Sequence, residues 1–552
     1  MASRTSRALF LLTLFLASCA VIGSMVGGNV AAQSATDEST VRDSLHQFTD
    51  VYNLVEQNYA EHLNNDMVDK AIYDGAIPGM LHVLDPHSNF YDPKAFAQMR
   101  EDQHGKYYGV GMSIQPQPDK NGVIHVVVLA PFEGTPAFKA GIKPGDAILA
   151  IDGKSAEGLD STAVAGMLKG PRGTHVGVTM AREGHEQPMS FDLVRDEIPR
   201  NSVDVAFLIK PGIGYIHVTN FMETTSREVG DALDKFEASN GGMHGLVIDL
   251  RSNPGGLLNE AVNVSDKFLQ RGQVVVSQHG RAFHDQVYSA TRGETGATKY
   301  PIVVIVNRNT ASAAEIVSGA LQDHDRALIV GETTFGKGLV QTVFPIPEDT
   351  GLALTTYHYY TPSGRLIQRD YDGVSLYDYY YVRDDAKKAD KSNTEVKLTD
   401  SGRTVYGGGG ITPDEKITVP NLNRFQISLS ADYAQYEHYV FVPSGIGIFA
   451  KHYLANHTVG RDFVVDDAVM QQFKDFLRVD KIEFTDADIA ANLDWIKSNI
   501  KAELFTSQFG QLEGLRIRAE TDPEIGKAIT YLPEALALVD HGKGQQTASV
   551  TQ

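Results

Sequence analysis

Cysteine is almost absent from this 552-residue chain: the single one, Cys19, lies inside an apolar stretch near the amino terminus. Beyond that stretch, disulfides can contribute nothing to stability. Runs of basic residues are missing too. Lys and Arg number 49 against 69 Asp and Glu, a formal net charge of −20. Gripping nucleic acid or anionic lipid needs a concentrated basic face, so both roles are excluded as partners for the chain's body. Outside residues 8–26 no segment is apolar enough to span a bilayer. What is present suffices for folding: 42% of residues are apolar and 21% charged, which excludes global disorder and leaves room for three or four domains.

The first 32 residues read as a signal peptide or signal-anchor. Arg4 and Arg7 precede "ALFLLTLFLASCAVIGSMV", a positive region followed by an apolar one. The run is long enough to be retained as a membrane anchor. "LASC" around Cys19 also resembles a lipoprotein cleavage box, against the plainer reading of a small residue within a leader. Either way the chain is expected to be exported, periplasmic or membrane-anchored facing the periplasm or cell exterior. Residues 33–103 predict a helical region, with Phe48, Val51, Tyr52, Val55, Ala71, Ala76, Met80 and Leu84 at helical spacing. Residues 104–195 are glycine-rich with short β-like runs. Residues 196–420 alternate strands such as "GLVIDL" and "PIVVIV" with amphipathic helices, which predicts an α/β core. Within it, 369–400 is a Tyr-rich, then charged, segment expected to be an exposed insertion. Residues 421–552 predict a separate, mostly helical C-terminal domain ending in a disordered tail.

"VGETTFGKGLVQ" (330–341) nearly spells a phosphate-binding P-loop. That loop must run into a helix whose first N–H groups face the phosphates. Here Val340, Thr342 and Phe344 favour a strand, and Pro345 and Pro347 forbid a helix. The nucleotide reading fails, and Lys337 instead projects an amine from a glycine-flanked turn. Upstream, "NRNTASAAEIVSGALQD" follows the strand "PIVVIV", so Ser312 sits at a strand-to-helix turn where a helix N-terminus favours negative charge. That suits a nucleophile whose attack creates an oxyanion, although serine also simply caps helices. A neutral lysine can serve as its base. Its ordinary pKa of about 10.4 must fall by roughly three for neutrality near pH 7, a cost of about 4 kcal/mol that burial can supply. Gln341 alternates with Leu339 and Lys337, so it is expected to face and orient the amine.

"TASAAEIVSGALQDHDRALIVGETTFGKGLVQ" resembles the catalytic region of the carboxyl-terminal processing, or tail-specific, serine peptidases. The resemblance implies Ser312 as nucleophile, Lys337 as general base and Gln341 as the residue positioning it. The family usually has Ser-Ala-Ser-Ala-Ser-Glu where this chain has residues 310–315, "TASAAE". Further matches are "LDPHSNFY", "GVGMSI", "AGIKPGDAILAIDG", "IGYIHVTNF", "DLRSNPGGLL", "YYTPSGRLIQ" and "VYGGGGITPD", spread over residues 45–420. The implied fold is multidomain α/β: an N-terminal helical region, a β-rich PDZ domain, a ClpP/crotonase-like protease core and a mostly helical C-terminal domain. The resemblance places one oxyanion donor in the "SNPGGLL" turn, at Gly255 or Gly256, with the Ala313 N–H as the other. Gly109, Val110, Gly111 and Met112 match a PDZ carboxylate-binding loop, which implies capture of protein substrates by apolar C-terminal tails. No cofactor or metal is implied, and a homo-oligomer is left open.

Three rivals remain. A histidine-based hydrolase would use His324 or His358 beside Asp323 or Asp325. His324 lies twelve residues beyond Ser312, about 18 Å along a helix. His87 reads as part of a structural helix-end motif. An inert peptide-binding protein of the same fold, or a crotonase-like lyase or thioester enzyme, leaves serine, lysine and glutamine together unexplained.

Overall fold

The computed structural model describes residues 38–118, 123–182, 184–292, 300–382, 395–418, 421–430 and 445–539. The leader with Cys19, residues 383–394 of the insertion and the tail from 540 lie outside them. The chain divides into two units, residues 1–80 and 81–552. In the first, helix α1 (Glu38–Asn58) leaves Val41, Leu45, Phe48 and Val55 exposed along one seam. The predicted helical region 33–103 is thus split. "LDPHSNFY" and helix α2 (Pro93–His104) belong to the second unit, where Asn89–Tyr91 pairs with a core strand.

Within the second unit, β1 (Lys106–Gly109), β2 (Met112–Pro118), β3 (Ile124–Pro131), helix α3 (Pro136–Lys139), β4 (Ala147–Ile151), helix α4 (Ser161–Leu168), β5 (His175–Ala181) and β6 (Met189–Val194) follow in order. The sheet runs β2-β3-β4-β5-β6, antiparallel, with β2 at its edge. Helix α4 packs beside β2, its start fixed by Asp160, which accepts the Ala163 N–H. Val126, Val128, Ile148, Val164 and Val178 fill the core between them.

The α/β core is a six-stranded sheet. Its strands are β7 (Val203–Lys210), β8 (Ile213–Val218), β9 (Gly245–Asp249), β10 (Ile302–Val306), β11 (Leu328–Gly331) and a short strand at Glu415–Lys416. All neighbours are parallel except β7 with β8. Successive residues of a strand face opposite sides, and here both sides are dry. Leu246, Ile248, Ile302 and Val304 pack under helices α5 (Thr225–Glu237), α6 (Leu258–Ser265) and α7 (Ala313–Asp323). Val247, Val303 and Ile305 pack with Ile525, Ala528, Leu532 and Ala535 from the C-terminal end of the chain.

That second layer changes the predicted domain plan. Residues 421–552 do not form one separate domain: helices α8 (Gln511–Thr521) and α9 (Pro523–Thr530) complete the α/β core. Phe425, Phe449, Phe473, Ile496 and Leu504 form a distinct helical bundle core before them. A second sheet carries β12 (Leu339–Ile346) and β13 (Thr350–Tyr360), paired antiparallel.

Candidate active site

Ser312 stands where β10 gives way to α7. Thr310 Oγ1 donates to the Leu250 carbonyl at 2.8 Å, and the Ala311 N–H donates to the Asn253 carbonyl at 2.9 Å. These bonds tie the turn to the end of β9. Ser312 itself has φ +53° and ψ −116°. An ordinary capping serine sits in the extended region, whereas a left-handed φ on a residue with a side chain costs of order 1–3 kcal/mol. The strain distinguishes Ser312 from a plain cap.

One carboxylate joins this turn to the lysine loop. Glu315 Oε2 accepts the N–H groups of Ser312 (2.8 Å) and Lys337 (2.9 Å), and Oε1 accepts Thr334 Oγ1 (2.5 Å) and the Gly336 N–H (2.7 Å). The Thr334 hydroxyl receives the Ile411 N–H, so its own proton goes to Glu315. All four partners donate, and the geometry is that of an ionised carboxylate. Burial pushes its pKa up, against these four hydrogen bonds. Tyr359 adds a second rivet: its hydroxyl lies 3.1 Å from the Ser312 carbonyl and 2.5 Å from that of Lys337. The sequence reading did not single out either residue, although Ser312 and Glu315 have the spacing of a capping box.

Lys337 is half-buried. Burial lowers its pKa, opposed by the negative charges of Asp85 and Glu315. Gln341 Nε2 donates to Thr355 Oγ1 at 3.1 Å, across from it on β13, where a bulge at Thr356 falls between this pair and Val340–Tyr357. Thr355 leads back to "LDPHS": its N–H goes to Ser88 Oγ, which donates to Asp85 Oδ2 at 2.6 Å. Asp85 Oδ1 also accepts the His87 and Ser88 N–H groups at 2.7 Å, the structural turn expected of "LDPHS", and this turn brings His87 within reach of the Lys337 charge. Burial first, then the charge of Lys337, hold its pKa down to about 3. It meets Tyr379 Oη at 2.9 Å, from a segment expected to be simply exposed. Tyr379 is in fact 2% exposed, packed on Phe335 and under Arg369, while its neighbours 372–378 are exposed.

Both glycines of the "SNPGGLL" turn have positive φ, but their surroundings differ. A Cβ on Gly255 would lie 2.7 Å from Ser312 Cβ and 2.9 Å from the Ala313 nitrogen. One on Gly256 would lie 2.1 Å from the Phe221 carbonyl oxygen. The Gly255 N–H is spent on Asn253 Oδ1 at 2.8 Å. The Gly255 carbonyl accepts the Phe221 N–H, so across the trans peptide the Gly256 N–H points the opposite way. Asn253, fully buried, also donates to the Val218 carbonyl and fixes the turn.

At residues 109–112 the carbonyls turn inward. Val110 accepts from the Ala137 N–H and Gly111 from the Phe132 N–H, each at 2.9 Å. In planar trans peptides the N–H groups of Gly111 and Met112 then point outward. Gly111, at φ +79°, could carry no side chain: its Cβ would meet Thr135 at 2.4 Å.

The histidine rival loses its base. His324 engages Asp400 through Nδ1 and the Val274 carbonyl through Nε2, both at 2.7 Å. His358 sits on β13 opposite Leu339. Among the described residues, no group of three or more His, Cys, Asp or Glu is arranged to hold a metal ion.

Residues 212–375 match the profile of peptidase family S41, residues 109–193 a PDZ domain, and residues 20–95 the activating protease CtpB N-terminal domain. The carboxy-terminal-processing protease of Bartonella bacilliformis is 39% identical over 344 residues, 61% of this chain and 76% of that protein. The carboxy-terminal processing protease CtpA of Bacillus subtilis is 32% identical over 399 residues, covering 70% and 82%. A carboxyl-terminal-processing protease of Synechocystis is 37% identical over 298 residues, covering 53% and 68%.

Proposed function

From the premise that this chain belongs to the carboxy-terminal-processing serine proteases of peptidase family S41, with a PDZ domain, we propose that Ser312 is the nucleophile and Lys337 its general base. The observation that carries this is the shared Glu315 carboxylate, one oxygen of which accepts both the Ser312 and the Lys337 backbone N–H. Such a clamp holds the backbones of two distant segments together and so lowers the entropy cost of bringing their side chains to one site.

In the proposed cycle an extended substrate tail adds to the free edge of β2, its carboxylate at the outward N–H groups of Gly111 and Met112 in the loop from Gly109 and Val110. Ser312 attacks the scissile carbonyl, Lys337 takes the hydroxyl proton, and the peptide amine leaves with that proton. Water then releases the acyl group by the same route. The Ala313 N–H at the start of α7 and the outward-turned Gly256 N–H are the oxyanion donors, while Gly255 keeps the space beside Ser312 open. Gln341 acts from the Thr355–Ser88–Asp85 chain of hydrogen bonds, at one remove from the amine. The substrates are exported proteins with apolar tails, and residues 1–32 direct the enzyme to the same compartment.

The test is cleavage of a protein ending in an apolar tail by the full chain and by Ser312→Ala, Lys337→Ala and His324→Ala. The first two should lose at least about 10³-fold in rate, and the third should retain cleavage. Full activity in Lys337→Ala would end the dyad reading.

A further inference from the structure

We propose that the cleft between the β2–β3 sheet face and the C-terminal helices is a second recognition site for the substrate tail. It would take the side chains that alternate with those lodged against α4, and it rests on the tail-capture reading above.

The edge of β2 specifies the occupant's backbone. Met112 lies opposite Pro131, which has no N–H, and the bond flanking this pair runs from the Phe132 N–H to the Gly111 carbonyl. Met112 is therefore a non-hydrogen-bonded residue whose N–H and C=O face away from β3, toward the free edge. An extended peptide pairing there presents its side chains alternately to the two faces of the sheet. One face is that of Met112 and Ile114, turned to the domain core and α4. The other is the face of Ser113 and Gln115.

That other face does not look into open solvent. It forms one wall of a cavity of about 390 Å³, whose opposite wall is Ile446, Trp495 and Glu503 of the C-terminal helices. A bulge in β3 leaves Leu129 out of the ladder, 44% exposed, and it lines the same cavity. The rim is joined where Lys451 Nζ reaches Gln117 Oε1 at 3.4 Å and its stem lies over Gly145, where a Cβ would come within 3.2 Å. Lys451 thus bounds the cavity, which lies against Ser113 and Gln115 of β2.

The lining states which side chain fits. Leu129, Ile446 and Trp495 supply apolar surface. Glu503 is paired with Arg518 at 2.5 Å, and Lys451 also lines the cavity. A cation entering it would lose water and meet the like charge of Lys451. The occupant is therefore a peptide end with an apolar or aromatic residue at the next-to-last position, and again two positions before it.

Trp495 is the only tryptophan in the chain, so its emission reports on this cavity alone. Full-length Ser312→Ala protein is titrated with labelled ten-residue peptides that end in a free carboxylate and differ only at the next-to-last residue, Phe or Lys. Binding is followed by anisotropy and by Trp495 emission. The Phe peptide is expected to bind about tenfold tighter than the Lys peptide and to shift the emission. Gln115→Glu, on the wall remote from the helices, should reduce that preference several-fold. Equal affinities with unchanged emission, while the Phe peptide with an amidated end fails to bind, would overturn this site and leave tail capture standing. Indifference to amidation would overturn tail capture and this inference with it. An emission change that depends on protein concentration without peptide would assign the cavity to a second copy of the chain, which also overturns the proposal.

Discussion

Lys337 holds a position that its own solvation opposes. Burial depresses its pKa below the ordinary 10.5, against the pull of Asp85 and Glu315. Between the lowered value and 10.5 the unfolded chain binds more protons than the folded one, so stability rises with pH across that window and is diminished at neutral pH. Lys337→Met removes the amine and keeps an unbranched apolar stem. It should abolish cleavage by at least about 10³-fold and raise the melting temperature at pH 7, with the advantage shrinking toward pH 10. Thermal melts of the two chains across that range check it. A Met variant less stable than the parent at every pH would mean that the amine is not desolvated. Ser312 and Lys337 were legible in the sequence because each sits at a junction marked by strong local signals, a strand-to-helix turn and a pair of glycines. The hydrogen bond from Gln341 to Thr355 was not, because it depends on the register of pairing with β13, which a bulge at Thr356 shifts by one residue.

At the level of elements, the two adjacent glycines of the turn after β9 are needed against different neighbours. Gly255 faces Ser312, and Gly256 faces the backbone of Phe221. Gly255→Ala, strained at φ +99°, would push against Ser312 Cβ and the Ala313 nitrogen, where the oxyanion is proposed to form. Its expected effect is a loss of about 10²-fold or more in kcat, as when an oxyanion donor is removed, with about 1–3 kcal/mol of stability. Gly256→Ala drives a methyl into the Phe221 carbonyl and breaks a bridge between the turn and the end of β8. It should lower the urea midpoint more than Gly255→Ala does. Paired measurements of kcat and urea midpoint check the division; equal stability losses would remove it. The sequence showed that a glycine was needed here, since only glycine allows such approach. Which glycine served which purpose depended on Phe221 and Ser312, which lie 34 residues before Gly255 and 57 after it in the sequence.

On the scale of the molecule, the C-terminal helices complete the sheet that positions the site. The sequence carried half of this: "GLVID" is apolar at consecutive positions, which signals a strand buried on both faces. It did not say what covers the second face, because α8 and α9 come some 260 residues later and belong by periodicity alone to any helical domain. Arg251 makes the connection. It pairs with Asp249 at the end of β9, at 2.5 Å, and reaches Asp522 (3.0 Å) and Glu524 (2.6 Å) at the start of α9. Asp249 is 1% exposed and also accepts the Tyr215 hydroxyl at 2.9 Å. Removing the guanidinium would leave a buried carboxylate with only that donor and the Arg251-position N–H, and two more carboxylates facing it. Such a break costs about 3–5 kcal/mol. Arg251→Met is therefore expected to lose that much in urea unfolding, and limited proteolysis should cut first near residues 511–539 as α8 and α9 lift from the sheet. Because Asp249 lies only a few residues before Gly255, cleavage activity should fall before the chain unfolds globally. A variant that keeps its protease resistance and loses less than about 1 kcal/mol would show that apolar packing of Ile525, Ala528 and Leu532 seats the helices without the ion pairs.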